Sequence, residues 1–259
     1  MKFNDLDVKM RVYETAQDRC ILPEMYIVAR IDGRGFTKLT KEVHQFEAPF
    51  DEKFRNLMIE TVKHLMNCGF NVIYGYTQSD EISLLFHPNE NTFGRKTRKY
   101  ISILAGEASA KFSSLLGYVG AFDCRISELP NRNLVEDYFR WRNEDAHRNA
   151  LNAHCYWRLR QDNHTVKQAT SKIEGISIAA KNELLFQYGI NFNNLPAWQK
   201  RGVGFYWKIA KKEGFNLKTK EHLLVDKRIL YTDFELPMRE EYNNFIHNLL
   251  EEYEVKTTI

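Results

Sequence analysis

Two short segments carry the residue types that phosphoryl chemistry needs. The first, Asp32-Gly33-Arg34-Gly35-Phe36-Thr37, ends an apolar run, and the second, Ser79-Asp80-Glu81, lies between two apolar runs. Two carboxylates held about 4 Å apart repel by about 4 kcal/mol at an effective dielectric near 20, a cost that a cation between them removes. Asp32 and Asp80 offer the hard oxygens that Mg2+ prefers, the Gly33 carbonyl offers a third, and water and phosphate oxygens can fill the remaining positions. Two such ions activate an attacking hydroxyl and neutralise a departing pyrophosphate. Gly33 and Gly35 let the backbone approach a phosphate, and exposed amides with Arg34 form a candidate triphosphate cradle. A second basic group, Arg95, Lys96, Arg98 and Lys99, opens a helical stretch. Cations there oppose the helix dipole, and a local rule broken in this way points to an anionic ligand.

The flanking patterns say which elements position these residues. Tyr26 to Ile31 reads as a buried strand that stops at the Asp32-Gly33 turn. Phe54, Leu57, Met58, Val62, Leu65 and Met66 recur at helical spacing between a capping Asp51 and a terminating Gly69. Val72 to Tyr76 and Ile82 to Phe86 form a hairpin around Thr77 to Glu81, although the Asn-Gly signal is missing. A helix from Arg95 to Leu116 and a strand around Phe122, Cys124 and Ile126 complete the order strand, helix, hairpin, helix, strand. This is the ferredoxin-like βαββαβ arrangement of the α+β class, with both helices on one face of a four-stranded sheet and the other face open. Its first and third strands are central neighbours, which sets Asp32 beside the hairpin turn. Beyond it the expectation is a long helix over Leu134 to Gln161, a helical stretch over Thr165 to Phe186, strands at Val203 to Lys208 and Leu223 to Tyr231, and a final amphipathic helix over Met238 to Tyr253. The chain then divides into a core over residues 1–135 and an extension over 136–259.

Composition narrows the function class. A chain of 259 residues, 43% hydrophobic, can bury roughly 70–75% of its unfolded surface, so disorder is excluded as the main state. Its apolar runs fall far short of the roughly 20 residues of a membrane span, and residues Met1 to Asp5 hold no apolar signal core. Cys20, Cys68, Cys124 and Cys155 show no paired spacing, so a reducing, cytoplasmic setting without membrane contact is expected. The net charge of +3 is an average over unlike parts. Lys200 to Lys220 holds seven basic residues and Glu213, a local +6, which leaves −3 in the other 238 residues. Phe205, Tyr206, Trp207 and Phe215 are interleaved there, cations suiting phosphates and rings serving core or base stacking.

The strings Arg30-Ile31-Asp32-Gly33-Arg34-Gly35-Phe36 and Gln78-Ser79-Asp80-Glu81, with their separation, resemble the signature motifs of the tRNA-histidine guanylyltransferase superfamily. The likeness extends through Trp141-Arg142 with Asp145 and His147, Lys181-Asn182-Glu183-Leu184-Leu185-Phe186 and Asn191-Phe192-Asn193-Asn194. It implies a polymerase-like palm working in reverse, adding nucleotides in the 3′–5′ direction to the 5′ end of tRNA. ATP or GTP activates the 5′-monophosphate, or a triphosphorylated end reacts directly. By motif, Asp32 and Asp80 would hold two Mg2+ ions, with the Gly33 carbonyl on one and Glu81 as a supporting acid. Arg34, Gly35, Phe36, Thr37 and Ser79 would contact the nucleotide, and Arg95 and Lys99 the triphosphate or the RNA 5′ end. The resemblance also implies a homo-oligomer, usually a tetramer. Guanylyltransferases proper carry His-Ile-Asn-Asn-Leu-Tyr-Asn on the long helix, whereas this chain reads His147-Arg148-Asn149-Ala150-Leu151-Asn152-Ala153. Only His147, Asn149 and Leu151 survive, a pattern that resembles the guanylyltransferase-like branch, which repairs 5′-truncated tRNAs by templated addition. Two other classes fit the same element order: a nucleotide cyclase with the same two acids and no RNA-binding extension, and a non-catalytic RNA-binding module of the RRM type.

Overall fold

The computed structural model describes residues 2–216 and 221–255. Helix α1 (Phe3–Thr15) buries none of its side chains. Strand β1 (Tyr26–Gly33) is followed by α2 (Glu52–Leu65), whose cap is Asp51, its carboxylate accepting from the amides of Lys53 at 2.7 Å and Phe54 at 2.9 Å. Strands β2 (Val72–Gln78) and β3 (Glu81–Phe86), helix α3 (Thr97–Leu116) and strand β4 (Phe122–Leu129) complete the first half. Then come α4 (Arg132–Gln161), α5 (Val166–Ile173), α6 (Ile178–Gln187), the short α7 (Ala197–Arg201), β5 (Val203–Asn216), β6 (Glu221–Asp233) and α8 (Glu240–Val255).

The strands form one six-stranded sheet in the order β4-β1-β3-β2-β5-β6, every neighbouring pair antiparallel. Its first four strands follow the expected order, with β1 and β3 adjacent and Asp32 opposite Glu81. Helices α2 and α3 cover one face, where Val62, Leu65, Leu104 and Phe112 pack with Ile31, Ile82 and Leu84.

The other face, expected to be open, is closed by α4 and α8. Val28, Tyr74, Tyr76 and Leu85 pack there against Val135, Phe139, Tyr242 and Ile246, and the hydroxyls of Tyr74 and Tyr242 lie 2.8 Å apart. All six residues of β3 are buried, including the Ser83 and Leu85 that alternation placed outward, as a strand covered on both faces requires. An RNA-binding module of the RRM type reads bases on an open sheet face, so this closure removes that alternative.

Three boundaries also move. The last two strands are longer than expected, and β5 pairs with β2, so the extension continues the sheet as well as packing on it. The stretch from Thr165 to Phe186 is two helices: Glu174 leaves the helical region, Gly175 has φ +70°, and Ser177 caps the second helix through the Ala180 amide at 3.1 Å. Helix α3 begins at Thr97, after Arg95, whose φ of +57° is left-handed.

Candidate active site

Asp32 closes β1, and the hairpin turn it faces is only two residues long. Gln78 pairs with Glu81, so Ser79 and Asp80 alone make the turn, with Ser79 at φ +53°. Two-residue hairpins favour glycine or asparagine at such a position, which explains why the sequence shows no standard turn signal. Two bonds fix the turn: the Gly33 amide donates to the Asp80 carbonyl at 3.1 Å, and the Thr77 hydroxyl donates to the Glu81 carbonyl at 2.8 Å. The strand end and the turn are thereby tied together, and Asp32 and Asp80 meet as the sequence predicted.

Burial pushes the Asp80 carboxyl above the usual carboxylate range, and the Asp32 charge adds to the shift. Among the described residues no ion pair involves Asp80. A half-buried carboxylate facing a second one without a basic partner fits a divalent cation. The side-chain donors are few, since no group of three or more His, Cys, Asp or Glu gathers as a metal site among the described residues. Mg2+ tolerates that, because it keeps several waters and takes substrate phosphates as ligands. The Phe122 amide, opposite Gly33 in the ladder, donates to the Ser109 hydroxyl at 2.9 Å.

Glu81 has a different environment from the one expected of a supporting metal acid. Both its oxygens are occupied: Arg142 donates Nε to Oε1 at 2.7 Å and Nη2 to Oε2 at 2.9 Å, and Arg30 Nη2 lies 2.6 Å from Oε2. Burial pushes the Glu81 carboxyl up while the charges of Arg142 and Arg30 pull it down. The same carboxylate holds the Arg142 guanidinium above its ordinary range. Arg142 Nη2 also reaches Asp145 at 3.1 Å, and Arg30 Nη2 lies 3.6 Å from Asp32. Glu81 therefore ties Arg30 on β1 to Arg142 on α4 behind the aspartates. Arg30 stands in the first motif without a role of its own, although its alternation with Val28 and Asp32 puts a cation on a covered face.

The phosphate-binding turn is only partly available. The amide of Gly33 is committed to Asp80, and that of Arg34 donates to the Ala121 carbonyl at 2.8 Å. The amides of Gly35, Phe36 and Thr37 follow at the start of a helical turn, where amides lack partners within the helix. The Phe36 ring is buried among Phe54, Phe112 and Phe122. It approaches Gly33 so closely that a Cβ there would lie 2.6 Å from the ring, which is the physical need for glycine at that position.

Arg95 and Lys99 are not brought to this site within one chain. Arg95 Nη2 donates to the Met25 carbonyl at 2.6 Å, just before β1 begins, whereas Asp32 is near its far end. The intervening strand spans roughly 20 Å. Lys96 and Arg98 pair with Asp18, and Lys99 Nζ lies 5.7 Å from the Phe93 ring centre. The basic cluster that suggested an anionic ligand is largely spent on holding the segment before β1.

Two cavities meet at the turn. One of about 600 Å3 is lined by Thr37, Lys41, Phe54, Asp80, Trp157 and Trp198, a size that suits a nucleoside triphosphate. Lys41 lies over the Trp157 ring at 5.3 Å, and the Arg55 guanidinium over Trp198 at 4.5 Å. These rings come from α4 and α7, far away in sequence, and no local pattern singled them out. A second cavity, of about 290 Å3, adjoins Asp32, Glu81, Arg142, Asp145 and Asn149 on the α4 side. Ser79 and Asp80 line both.

The remaining motif residues mostly support these walls. His147 packs on Phe192 at 5.3 Å, and burial with the nearby Lys200 and Arg201 charges lowers its pKa. Asn149 Nδ2 donates to Asp145 at 3.2 Å, and Leu151 joins Cys155, Leu185 and Phe192 in a small core. In the basic stretch, Lys200 is buried and donates to the Asn193 carbonyl at 2.6 Å, Arg201 donates to the Leu236 carbonyl, and Lys208 Nζ lies 3.5 Å from the Tyr231 ring centre. Lys211 and Lys212 are exposed, while Lys218 and Lys220 lie outside the described residues. The Phe205 ring is core, as expected.

Residues 7–130 match the family described as tRNAHis guanylyltransferase, and residues 133–244 match the Thg1 C terminal domain. A Drosophila melanogaster protein described as a probable tRNA(His) guanylyltransferase is 38% identical over 197 residues, covering 72% of this chain and 68% of its own. A bacterial tRNA(His) guanylyltransferase (Thg1)-like protein solved in complex with ATP superposes with a TM-score of 0.75 at 26% identity, over 95% of this chain and 99% of its own. The same kind of bacterial protein solved with GTP gives 0.70 at 26% identity over the same shares. With the aspartates, the hairpin turn and both halves of the chain in agreement, the protein belongs to the tRNA-histidine guanylyltransferase family and is a nucleotidyltransferase enzyme.

Proposed function

We propose that this chain adds nucleotides in the 3′–5′ direction to the 5′ end of tRNA, with Mg2+ at Asp32, Asp80 and the Gly33 carbonyl. The observation that carries the reading is the half-buried Asp80, facing Asp32 without a basic partner, beside a cavity of nucleotide size. The relatives solved with ATP and GTP support nucleoside triphosphates as substrates.

The chemistry takes two steps. An oxygen of the RNA 5′-monophosphate attacks the α-phosphorus of ATP or GTP and expels pyrophosphate, leaving a 5′–5′ linked nucleotide cap on the RNA. The 3′-hydroxyl of an incoming nucleoside triphosphate then attacks the RNA 5′-phosphorus and expels the nucleoside monophosphate; a triphosphorylated end instead expels pyrophosphate. Mg2+, held by Asp32, Asp80 and the Gly33 carbonyl, would supply charge neutralisation of the phosphates and activation of the attacking oxygen. Asp32 and Asp80 would hold that ion at the turn where the two cavities meet. Thr37, Lys41 and the rings of Trp157 and Trp198 enclose the nucleotide and exclude water from it. The Arg30–Glu81–Arg142 group keeps Asp32 oriented on β1.

The departures at Arg148, Ala150, Asn152 and Ala153 from the guanylyltransferase motif support templated repair of truncated tRNA over obligatory guanylate addition to tRNA-His. The reading carries with it a homotetramer working in the cytoplasm. No observation favours a nucleotide cyclase. The test offers 5′-monophosphorylated tRNA-His transcripts, full-length and one nucleotide short, with each nucleoside triphosphate and Mg2+. Extension only opposite a template base is expected. Guanylate added without a template base overturns the repair reading, and cyclic nucleotide without RNA overturns the whole.

A further inference from the structure

A transfer that joins two substrates at one carboxylate pair needs a seat for each. The larger cavity is aromatic and takes a mononucleotide. The smaller one, across the Ser79–Asp80 turn, carries the charged side chains of Asp32, Glu81, Arg142 and Asp145 and is walled by α4. On α4 the positions Tyr138, Trp141, Asp145 and Asn149 follow one another at spacings of three and four, so they share one flank. Asp145 and Asn149 line the smaller cavity, which places Trp141 on the rim one turn further out.

Trp141 is 54% exposed, unusual for the largest apolar side chain beside a polar cleft. It is nonetheless fixed in place. Its ring lies 4.5 Å from the guanidinium of Arg142, itself bonded to Glu81 and Asp145, and edge-on to Tyr138 at 5.9 Å. A cation lies on the same face of the sheet. The β1–β4 register pairs Asp32 with Asp123 and Arg30 with Arg125, so Arg125 is two residues along the edge strand from the position beside Asp32. The Arg125 side chain is 59% exposed, and its ion pair with Asp123 is long, at 3.7 Å. Arg148, two turns along α4 from Trp141, is more exposed still and pairs with Asp145.

An anchored, exposed ring on the flank of α4 that leads to the carboxylates, with exposed arginines further along that flank and on the β4 edge of the same sheet face, is the chemistry that receives the end of a nucleic-acid strand: rings stack bases and cations take phosphates. We propose that Trp141 is the platform on which the 5′-terminal base of the RNA stacks, with Arg125 on the adjoining backbone phosphate, so that the terminal phosphate enters the smaller cavity beside Asp32. The proposal rests on the tRNA 5′-end reading above and gives that reading a direction of approach. RNA enters between α4 and the β4 edge, and the mononucleotide enters from the side of Lys41 and Trp198.

The test uses full-length protein and a 5′-triphosphorylated tRNA one nucleotide short, which bypasses activation. Trp141→Ala is expected to raise the KM for RNA about tenfold, leave the KM for the nucleoside triphosphate unchanged and change kcat by no more than about twofold. Trp141→Phe should recover most of the loss, and Arg125→Gln should make the salt dependence of RNA binding less steep by about one unit of slope. Unchanged KM for RNA in Trp141→Ala overturns the platform. So does a parallel loss of nucleotide affinity, the mark of a structural role, or a change of sedimentation, which would show that a second copy covers Trp141. RNA titration followed by tryptophan fluorescence separates this proposal from the functional reading. Quenching present in wild type and absent in Trp141→Phe supports the platform even if wild type extends no RNA, and equal quenching in both overturns it even if wild type is active.

Discussion

The sheet holds two hairpins built in opposite ways. The β2–β3 hairpin turns in two residues, is buried along nearly its whole length, and places a left-handed serine and a carboxylate without a basic partner at its tip. The β5–β6 hairpin pairs residues 204–216 with 221–233, and Ile209, Lys211, Lys212, Leu224 and Val225 are exposed along it. Backbone strain and like-charge repulsion cost stability, and a region packed on both faces can bear that cost. An exposed ribbon bears no such strain and is free to meet a large partner. Under the proposed function, chemistry belongs to the short hairpin and RNA affinity to the exposed cations of the long one.

Breaking the short hairpin's chemistry should give the largest effect. Asp32→Ala or Asp80→Ala should lower nucleotide addition by about a thousandfold or more, since a lost metal ligand removes several kcal/mol of transition-state stabilisation, while circular dichroism stays that of wild type. Activity of either variant within tenfold of wild type would sink the metal assignment. Next is Glu81→Gln, which strips Arg30 and Arg142 of their shared counter-charge. Leaving buried charge uncompensated costs about 3 kcal/mol, to be read as a lower midpoint in urea; an unchanged midpoint would mean that Glu81 is free to serve as a ligand after all.

The long hairpin should behave in reverse. Lys211→Gln with Lys212→Gln should leave the urea midpoint unmoved and make the salt dependence of tRNA binding less steep by about 1.5–2 units of slope. An identical slope would remove the arm from the RNA-binding surface. The smallest effect concerns pH. The Asp80 pKa is raised in the folded protein, so folding favours its protonated form. Without divalent ions, that contribution is complete below the model-peptide value of 3.8 and is lost as pH rises through the higher folded value. Asp80→Asn should abolish this segment of the stability profile, and Mg2+ should mask it. A wild-type profile that matches the asparagine variant's would contradict the unbalanced charge.

How much of this the sequence discloses depends on distance along the chain. Strand β1, the β2–β3 hairpin and α2 are legible because their signals are local: a β-branched run, alternation, a capping Asp51. The motifs likewise disclose Asp32 and Asp80. Closure of the second face is not legible, since Tyr242 shows that its helix is amphipathic but not that its partner is Tyr74, 168 residues earlier. Arg95 misleads for the same reason, its partner Met25 lying 70 residues back. The motif places Glu81 beside the aspartates but does not disclose its environment, because Arg142 arrives from α4. Gly175 and Ser177, by contrast, are local signals of a helix break within the stretch read as one helical segment.

The Tyr74–Tyr242 hydroxyl pair also bears on how the molecule is made. A chain emerges from the ribosome in order at about 5–20 residues per second, so Tyr74 waits roughly ten to thirty seconds for the residue that covers it. Within that interval α4 and then β5 emerge, and only α8 is still missing from the back of β2. The strand that leads to Asp80 is therefore completed among the last, and a nascent chain arrested before residue 242 holds both aspartates on a sheet whose second face has α4 but lacks α8.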